Sequence, residues 1–243
     1  MDQTVTAKVR LYVEHALGAG QSVPVSREQA HYLFGVMRLG VGAQILVFDG
    51  QSGEWLAEVA EAGKRGGVLA VLSQTRPMQM PPDLWLMFAP IKKARTDFIV
   101  EKAVEMGAAR IVPVQTQFTN SGRIQRARLQ AHAVEAAEQC GATFVPEVVE
   151  MQRLDRVLGA WENTRQIMFC DEGQVASKPT LPAVCGPWAI LIGPEGGFAD
   201  GERDRVQRMG QAHAVSLGPR ILRADTAAVA ALTLWQSALG DWV

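Results

Sequence analysis

Past Pro82 the chain settles into a regular alternation of short apolar runs and amphipathic segments, and no other feature constrains the fold as strongly. Residues 84–89, 110–114, 144–149, 166–170, 188–192 and 212–217 read as strands. Residues 96–106, 123–140, 152–161, 200–209 and 226–239 read as helices, with Gly107 and Gly141 placed to close the first two. Apolar strands alternating with helices predict an α/β fold whose mainly parallel sheet is covered by helices on both faces. Such sheets bind ligands at the carboxyl ends of their strands, so the loops that follow strands are where chemistry is expected.

The residues before Pro82 follow a different rule. Residues 8–13 alternate like a strand, and Ser26-Arg27-Glu28-Gln29 reads as a capping box opening a helix through Leu39, which Gly40 stops. Residues 43–48 and 54–60 are strand-like and joined by the turn-rich Asp49-Gly50-Gln51-Ser52-Gly53; residues 68–72 follow Gly66-Gly67. This predicts a barrel-like module of short strands. Arg76-Pro77-Met78-Gln79-Met80-Pro81-Pro82 holds three prolines in seven residues and no periodicity, as a linker does. The expected organisation is a small β domain over 1–75, a linker over 76–83 and an α/β domain over 84–243.

With 243 residues, 48% hydrophobic and 20% charged, the chain has the composition of an ordinary globular protein large enough for two domains. No apolar run approaches the roughly 18 residues that span a bilayer, and Met1-Asp2-Gln3-Thr4 lacks a charged-then-apolar leader, so a cytoplasmic protein without a membrane partner is expected. Cys140, Cys170 and Cys185 lack the spacing of a metal or redox motif and read as buried small hydrophobes. His15, His31, His132 and His213 are scattered, so no metal is expected. The net charge of −1 offers nucleic acid no overall attraction. The distribution does: residues 90–128 carry eight basic side chains against three acidic ones, whereas residues 1–82 carry seven of each.

Two loops of the second half stand out. Ile192-Gly193-Pro194-Glu195-Gly196-Gly197-Phe198 lies between a strand and a helix, and its glycines permit close backbone approach to a ligand while Glu195 supplies one carboxylate. The plainer alternative is a tight connection with a surface glutamate. Leu217-Gly218-Pro219-Arg220-Ile221-Leu222-Arg223-Ala224-Asp225-Thr226 sets two aliphatics between arginines, which suits a pocket for a flat apolar group such as adenine. Alternatively the arginines pair with neighbouring acids, the aliphatics close a core and Asp225 caps the last helix. The absence of Gly-x-Gly-x-x-Gly after the first strand of this half argues against ordinary dinucleotide binding.

These two loops, Gly193-Pro194-Glu195-Gly196-Gly197-Phe198 and Leu217-Gly218-Pro219-Arg220-Ile221-Leu222-Arg223, resemble the bacterial 16S rRNA uracil-N3 methyltransferase family. The resemblance extends to His31-Tyr32-Leu33-Phe34-Gly35-Val36-Met37-Arg38-Leu39, Phe48-Asp49-Gly50, Lys102-Ala103-Val104-Glu105-Met106-Gly107, Ile111-Val112-Pro113 and Glu135-Ala136-Ala137-Glu138-Gln139-Cys140-Gly141. It departs at Thr116-Gln117-Phe118-Thr119-Asn120-Ser121-Gly122, which lacks a usual arginine, at Arg223-Ala224-Asp225-Thr226, and at Ala142.

The resemblance implies a SPOUT α/β domain with a trefoil knot, a PUA-like N-terminal barrel, a homodimer, and S-adenosylmethionine as methyl donor for 16S rRNA of the small ribosomal subunit. It implies Arg223 as electrostatic stabiliser, Glu195 or Asp225 as base, and Ile192, Gly193, Glu195, Gly196, Leu217, Gly218, Ile221 and Leu222 around the cofactor. Arg10, Arg38, Lys92, Lys93, Arg123, Arg126 and Arg220 form the candidate RNA-contacting set. Arginines 123, 126 and 128 oppose the dipole of the helix they open, which suggests a partner anion. Competing classes are a SPOUT enzyme with another rRNA or tRNA target, an RNA-binding assembly factor without catalysis, and a nucleotide-binding metabolic enzyme.

Overall fold

The structure, a computed structural model, describes residue 7, residues 9–171 and residues 181–242; the opening Met1–Thr4 stretch and Lys8 of the first expected strand lie outside the described residues. The chain divides into two compact units, one holding the described residues up to Met80 with Ala137–Phe144, the other Pro81–Ala136 and the described residues from Val145 onward.

The first unit is built on a five-stranded sheet of β1 (Arg10–Tyr12), β2 (Ser22–Val25), β3 (Gln44–Phe48), β4 (Glu54–Gly63) and β5 (Gly66–Arg76), in the order β1-β3-β4-β5-β2. Only β1 and β3 pair in parallel. Alternate residues point inward, so Val23, Val25, Ile45, Val47, Ala57, Val59, Leu69 and Val71 pool into one core with Leu33. Ser26 does form the capping box, its side chain accepting from Gln29 N while Gln29 Oε1 accepts from Ser26 N. The helix it opens is α1 (Arg27–Ala30), which widens at once into a π-helical segment, His31–Val36. Arg38 beyond it is the only non-glycine at positive φ (55°) among the described residues.

The second unit carries a seven-stranded sheet whose paired strands all run parallel. Its strands are β6 (Leu84–Phe88), β7 (Arg110–Gln115), β8 (Glu147–Val148), β9 (Gln152–Arg153), β10 (Gln166–Cys170), β11 (Trp188–Ile192) and β12 (Ala212–Ala214). The order is β12-β10-β11-β6-β7-β8, with β9 pairing β7. The connecting helices are α2 (Lys93–Glu105), α3 (Arg126–Cys140), α4 (Leu154–Gly159), α5 (Asp200–Gln207) and α6 (Ala224–Leu239). All five residues of β11 are buried, as burial on both sheet faces requires. Each fully buried large side chain, Trp188, Phe88 and Phe169 among them, stabilises the unit by about 1.5–3 kcal/mol. No helix of the described residues is long and apolar enough to cross a membrane.

Candidate functional site

At the carboxyl edge of the parallel sheet a cleft opens over the ends of β10 and β11. The two loops singled out in the sequence meet there. Gly193, Pro194, Glu195 and Gly197 line one side, and Leu217, Gly218, Arg220, Ile221 and Leu222 line the other. Ile192, Cys170 and Asp171 close the floor, and Ala224 and Ala227 present the first turns of α6.

Local chemistry explains the loop shapes. A Cβ on Gly193 would fall 2.8 Å from the ring of Phe198, which is 4% exposed and packs edge-on against Phe169 with centroids 5.0 Å apart. Glycine therefore lets the loop fold back over its own phenylalanine. Gly197 N donates to Pro194 O at 2.9 Å with φ 71°, closing a turn only glycine adopts easily. Gly218 has φ 116° with open space where a Cβ would stand, and its main chain is held by Ser216, whose Oγ accepts from Gly218 N at 3.3 Å and lies 3.4 Å from Gly218 O. Burial pushes the Cys170 thiol pKa up, so this residue meets the cleft as an uncharged group. Asp171, 4% exposed at the end of β10, accepts from Arg203 of α5.

The candidate catalytic residues are only partly gathered. Glu195 lines the cleft, while Arg223 and Asp225 flank Ala224 without lining it. Arg223 is the exposed N-cap residue of α6 and offers its carbonyl to Ala227 N at 2.7 Å. Asp225 Oδ1 accepts from Thr226 N at 2.9 Å. The connection between the carboxylates comes from a residue the sequence reading missed. Arg95, in the first turn of α2, donates through Nη1 to Glu195 Oε1 at 3.0 Å and sets Nε 3.6 Å from Asp225 Oδ2. A signal existed: Arg95, like Lys93, puts positive charge at a helix start, against the dipole. Gly196, expected around a cofactor, does not line the cleft; its Cα faces Phe118.

The structure also redistributes the basic residues. Arg10 is committed internally: Nε donates to Glu54 at 2.6 Å, Nη1 and Nη2 donate to the carbonyls of Ala137 and Ala142, and its guanidinium lies 3.7 Å from the Phe48 ring centroid. With its side chain 11% exposed it presents nothing to a phosphate. Arg126 donates to Val148 O at 2.7 Å, and Arg128 pairs with Asp97, so the anions expected opposite this helix start include one from the chain itself. The helix begins at Arg126, leaving Arg123 exposed ahead of it. Arg38, Lys92, Lys93 and Arg220 are exposed. The cysteine expectation needs correcting as well: Cys170 is buried, but Cys140 and Cys185 are exposed. Among the described residues no group of three or more His, Cys, Asp or Glu is placed to hold a metal.

Comparison with known proteins adds to this geometry. Residues 78–236 match the RNA methyltransferase domain family and residues 25–72 the RNA methyltransferase PUA domain. A ribosomal RNA small subunit methyltransferase E from Synechocystis is 30% identical over 224 residues, covering 87% of this chain and 71% of the relative. A Legionella pneumophila protein solved with bound cofactor SAM superposes with a TM-score of 0.88 at 27% identity, covering 96% of this chain and 98% of the other. The ribosomal RNA small subunit methyltransferase E of Neisseria gonorrhoeae, bound to S-adenosyl methionine, superposes at 0.82 with 26% identity, covering 97% and 99%.

Proposed function

Because the chain belongs to the ribosomal RNA small subunit methyltransferase E family, we propose that it uses S-adenosylmethionine to methylate N3 of a specific uridine in 16S rRNA of the small ribosomal subunit. The observation that carries this reading is the cleft at the carboxyl edge. It is concave and lined mainly by apolar side chains and glycine backbone, with Asp171, Glu195, Ser216 and Arg220 as its polar groups, the make-up of a small-molecule site. That lining fits a nucleoside: Ile192, Leu217, Ile221 and Leu222, beside Gly218, to hold the adenine, and the main chain of Gly193 to meet its polar edges.

When bound, the cofactor supplies a methyl group already activated on a sulfonium, so the chain's own task is positioning and proton handling. The uracil imide gives up its N3 proton, for which Glu195 and Asp225 are the candidate acceptors. Arg95 holds both carboxylates to one guanidinium and so fixes where an acceptor oxygen stands. Arg223 is the candidate stabiliser of the negative charge that develops on the uracil oxygens. Arg38, Lys92, Lys93, Arg123 and Arg220 are the candidate phosphate contacts.

The proposal includes a PUA-like RNA-binding barrel over 1–75, a linker over 76–83, and a trefoil-knotted SPOUT domain over 84–243 that pairs into a homodimer in the cytoplasm. Mass mapping of 16S rRNA nucleosides from cells lacking the gene tests the target. Loss of one N3-methyluridine, restored by the wild-type gene and not by Arg223→Ala, is expected. Loss of a ribose-methylated nucleoside or of a tRNA modification instead would assign the fold a different target.

A further inference from the structure

The residues that follow β7 form a four-residue turn with an uncommon number of fastenings. Thr119 N donates to Thr116 O at 3.2 Å, Thr116 N donates to Thr119 Oγ1 at 2.8 Å, and the two threonine hydroxyls lie 2.9 Å apart. At the tip, Gln117 N donates to Glu202 Oε1 at 2.8 Å, and the other oxygen of that carboxylate accepts from Ala199 N at 3.1 Å, just past the glycine loop. One glutamate of α5 therefore ties the turn to the element that follows the 193–198 loop.

Phe118 is the second tip residue of this turn. The residue stays 42% exposed, and it packs on Gly196, where an added Cβ would lie 3.2 Å from the Phe118 Cβ. Neighbouring residues 193, 194, 195 and 197 line the cleft, so the ring rests on the part of the loop that does not. A groove lined by the polar residues Gln115, Thr116, Gln117, Arg153, Asp155 and Glu202 runs beside it. A single exposed phenylalanine is ordinary on a protein surface. One carried on a turn that is fastened to a second element, packed on the loop that lines the proposed cofactor cleft and set beside a polar groove, has the features of a stacking platform: an apolar face with hydrogen-bonding groups next to it.

We infer that Phe118 stacks on an unpaired base of the RNA strand that delivers the target nucleotide to the cleft. The inference rests on the RNA methylation proposed above and adds to it a substrate-positioning residue. Every nucleobase has a π face, so the contact contributes affinity and register without reading sequence, and the amides of Gln115 and Gln117 stand beside it for the base edges or the backbone.

The test compares Phe118→Ala, Phe118→Leu and Phe118→Trp in the full chain, with small-subunit RNA as substrate, S-adenosylmethionine affinity measured separately by calorimetry, and melting curves to verify folding. Expected are a KM for RNA raised about tenfold in the Ala and Leu variants, near wild type in the Trp variant, with cofactor affinity unchanged in all three. Leucine preserves apolar packing on Gly196 but has no π face, so a wild-type KM in Phe118→Leu would reduce the ring to a packing element and overturn the inference. So would an unchanged KM in Phe118→Ala, or a loss of cofactor affinity parallel to the loss of RNA affinity. A wild-type chain that methylates no RNA sinks the methyltransferase reading and this inference together; an active wild type with an indifferent Phe118→Ala sinks only the inference.

Discussion

Glu54 is 3% exposed and accepts hydrogen bonds from Arg10 at 2.6 Å, from Arg76 at 3.0 and 2.6 Å, and from Thr75 at 3.0 Å. Burial alone pushes its carboxyl up, but the bonds from Arg76, Arg10 and Thr75 together outweigh it and bring the pKa from 4.5 to about 2. A depressed folded-state pKa stabilises the fold above the unfolded value and loses that contribution as pH falls from about 4.5 through about 2. Glu54→Gln should therefore cost on the order of 3 kcal/mol at neutral pH, with the difference from wild type shrinking across that window in urea titrations. Arg95 carries the residue-scale prediction for activity. Arg95→Ala should lower turnover by about ten- to a hundredfold in methyl-transfer assays. Arg95→Lys should recover little of it, because an ammonium lacks the fork that reaches Glu195 and Asp225 together. Much of the cleft was legible at this scale: Glu195, Gly193, Leu217, Gly218, Ile221 and Leu222 are all in its lining. Arg95 and Asp171 were not, because their partners, Glu195 and Asp225 for the one and Arg203 for the other, lie far away in the chain, and one sequence carries no record of such proximity. A guanidinium looks the same in sequence whether it meets a phosphate or, as Arg10 does, a buried carboxylate.

At the scale of elements, periodicity succeeded where strands are buried on both faces: β10 and β11 occupy the expected residues, 166–170 and 188–192. It failed where tertiary partners decide. β2 went unrecognised because Pro24 interrupts its run, and the proline is tolerated there because β2 lies at the sheet edge and, among the described residues, pairs only with β5. β5 reaches Arg76, beyond the apolar residues 68–72, because the long β4 partner continues alongside with Glu54 opposite Arg76. The segment expected as a strand over 212–217 pairs only through Ala214, after which Val215, Ser216 and Leu217 turn into the cleft lining. Local propensity describes the start of such a segment, and the cleft it turns into decides its end. One junction between elements is directly testable. Gln236 of α6 is fully buried, donates to Met106 O at the end of α2 at 2.7 Å and accepts from Asp241 N at 3.1 Å. Gln236→Leu leaves both main-chain groups without these partners and should cost about 1–3 kcal/mol, lowering Tm by several degrees in calorimetric scans.

For the whole molecule, the alternation beyond Pro82 was enough to anticipate a parallel α/β sheet with its site at the carboxyl edge, and the structure has its loop-lined cleft there. Strand order was beyond reach of periodicity, since the placement of β12 beside β10 and of β11 beside β6 depends on crossovers that leave no local pattern. Everything proposed for activity depends on that cleft accepting a sulfonium nucleoside. Titration of S-adenosylmethionine into the full-length protein by isothermal calorimetry tests this most directly, with Leu222→Arg as control because it places a bulky cation in the lining. The expected result is a single saturable site per chain, weakened at least about tenfold in Leu222→Arg while the variant melts like wild type. Absence of saturable binding to the wild type, or equal affinity in the variant, would contradict the assignment of the cleft.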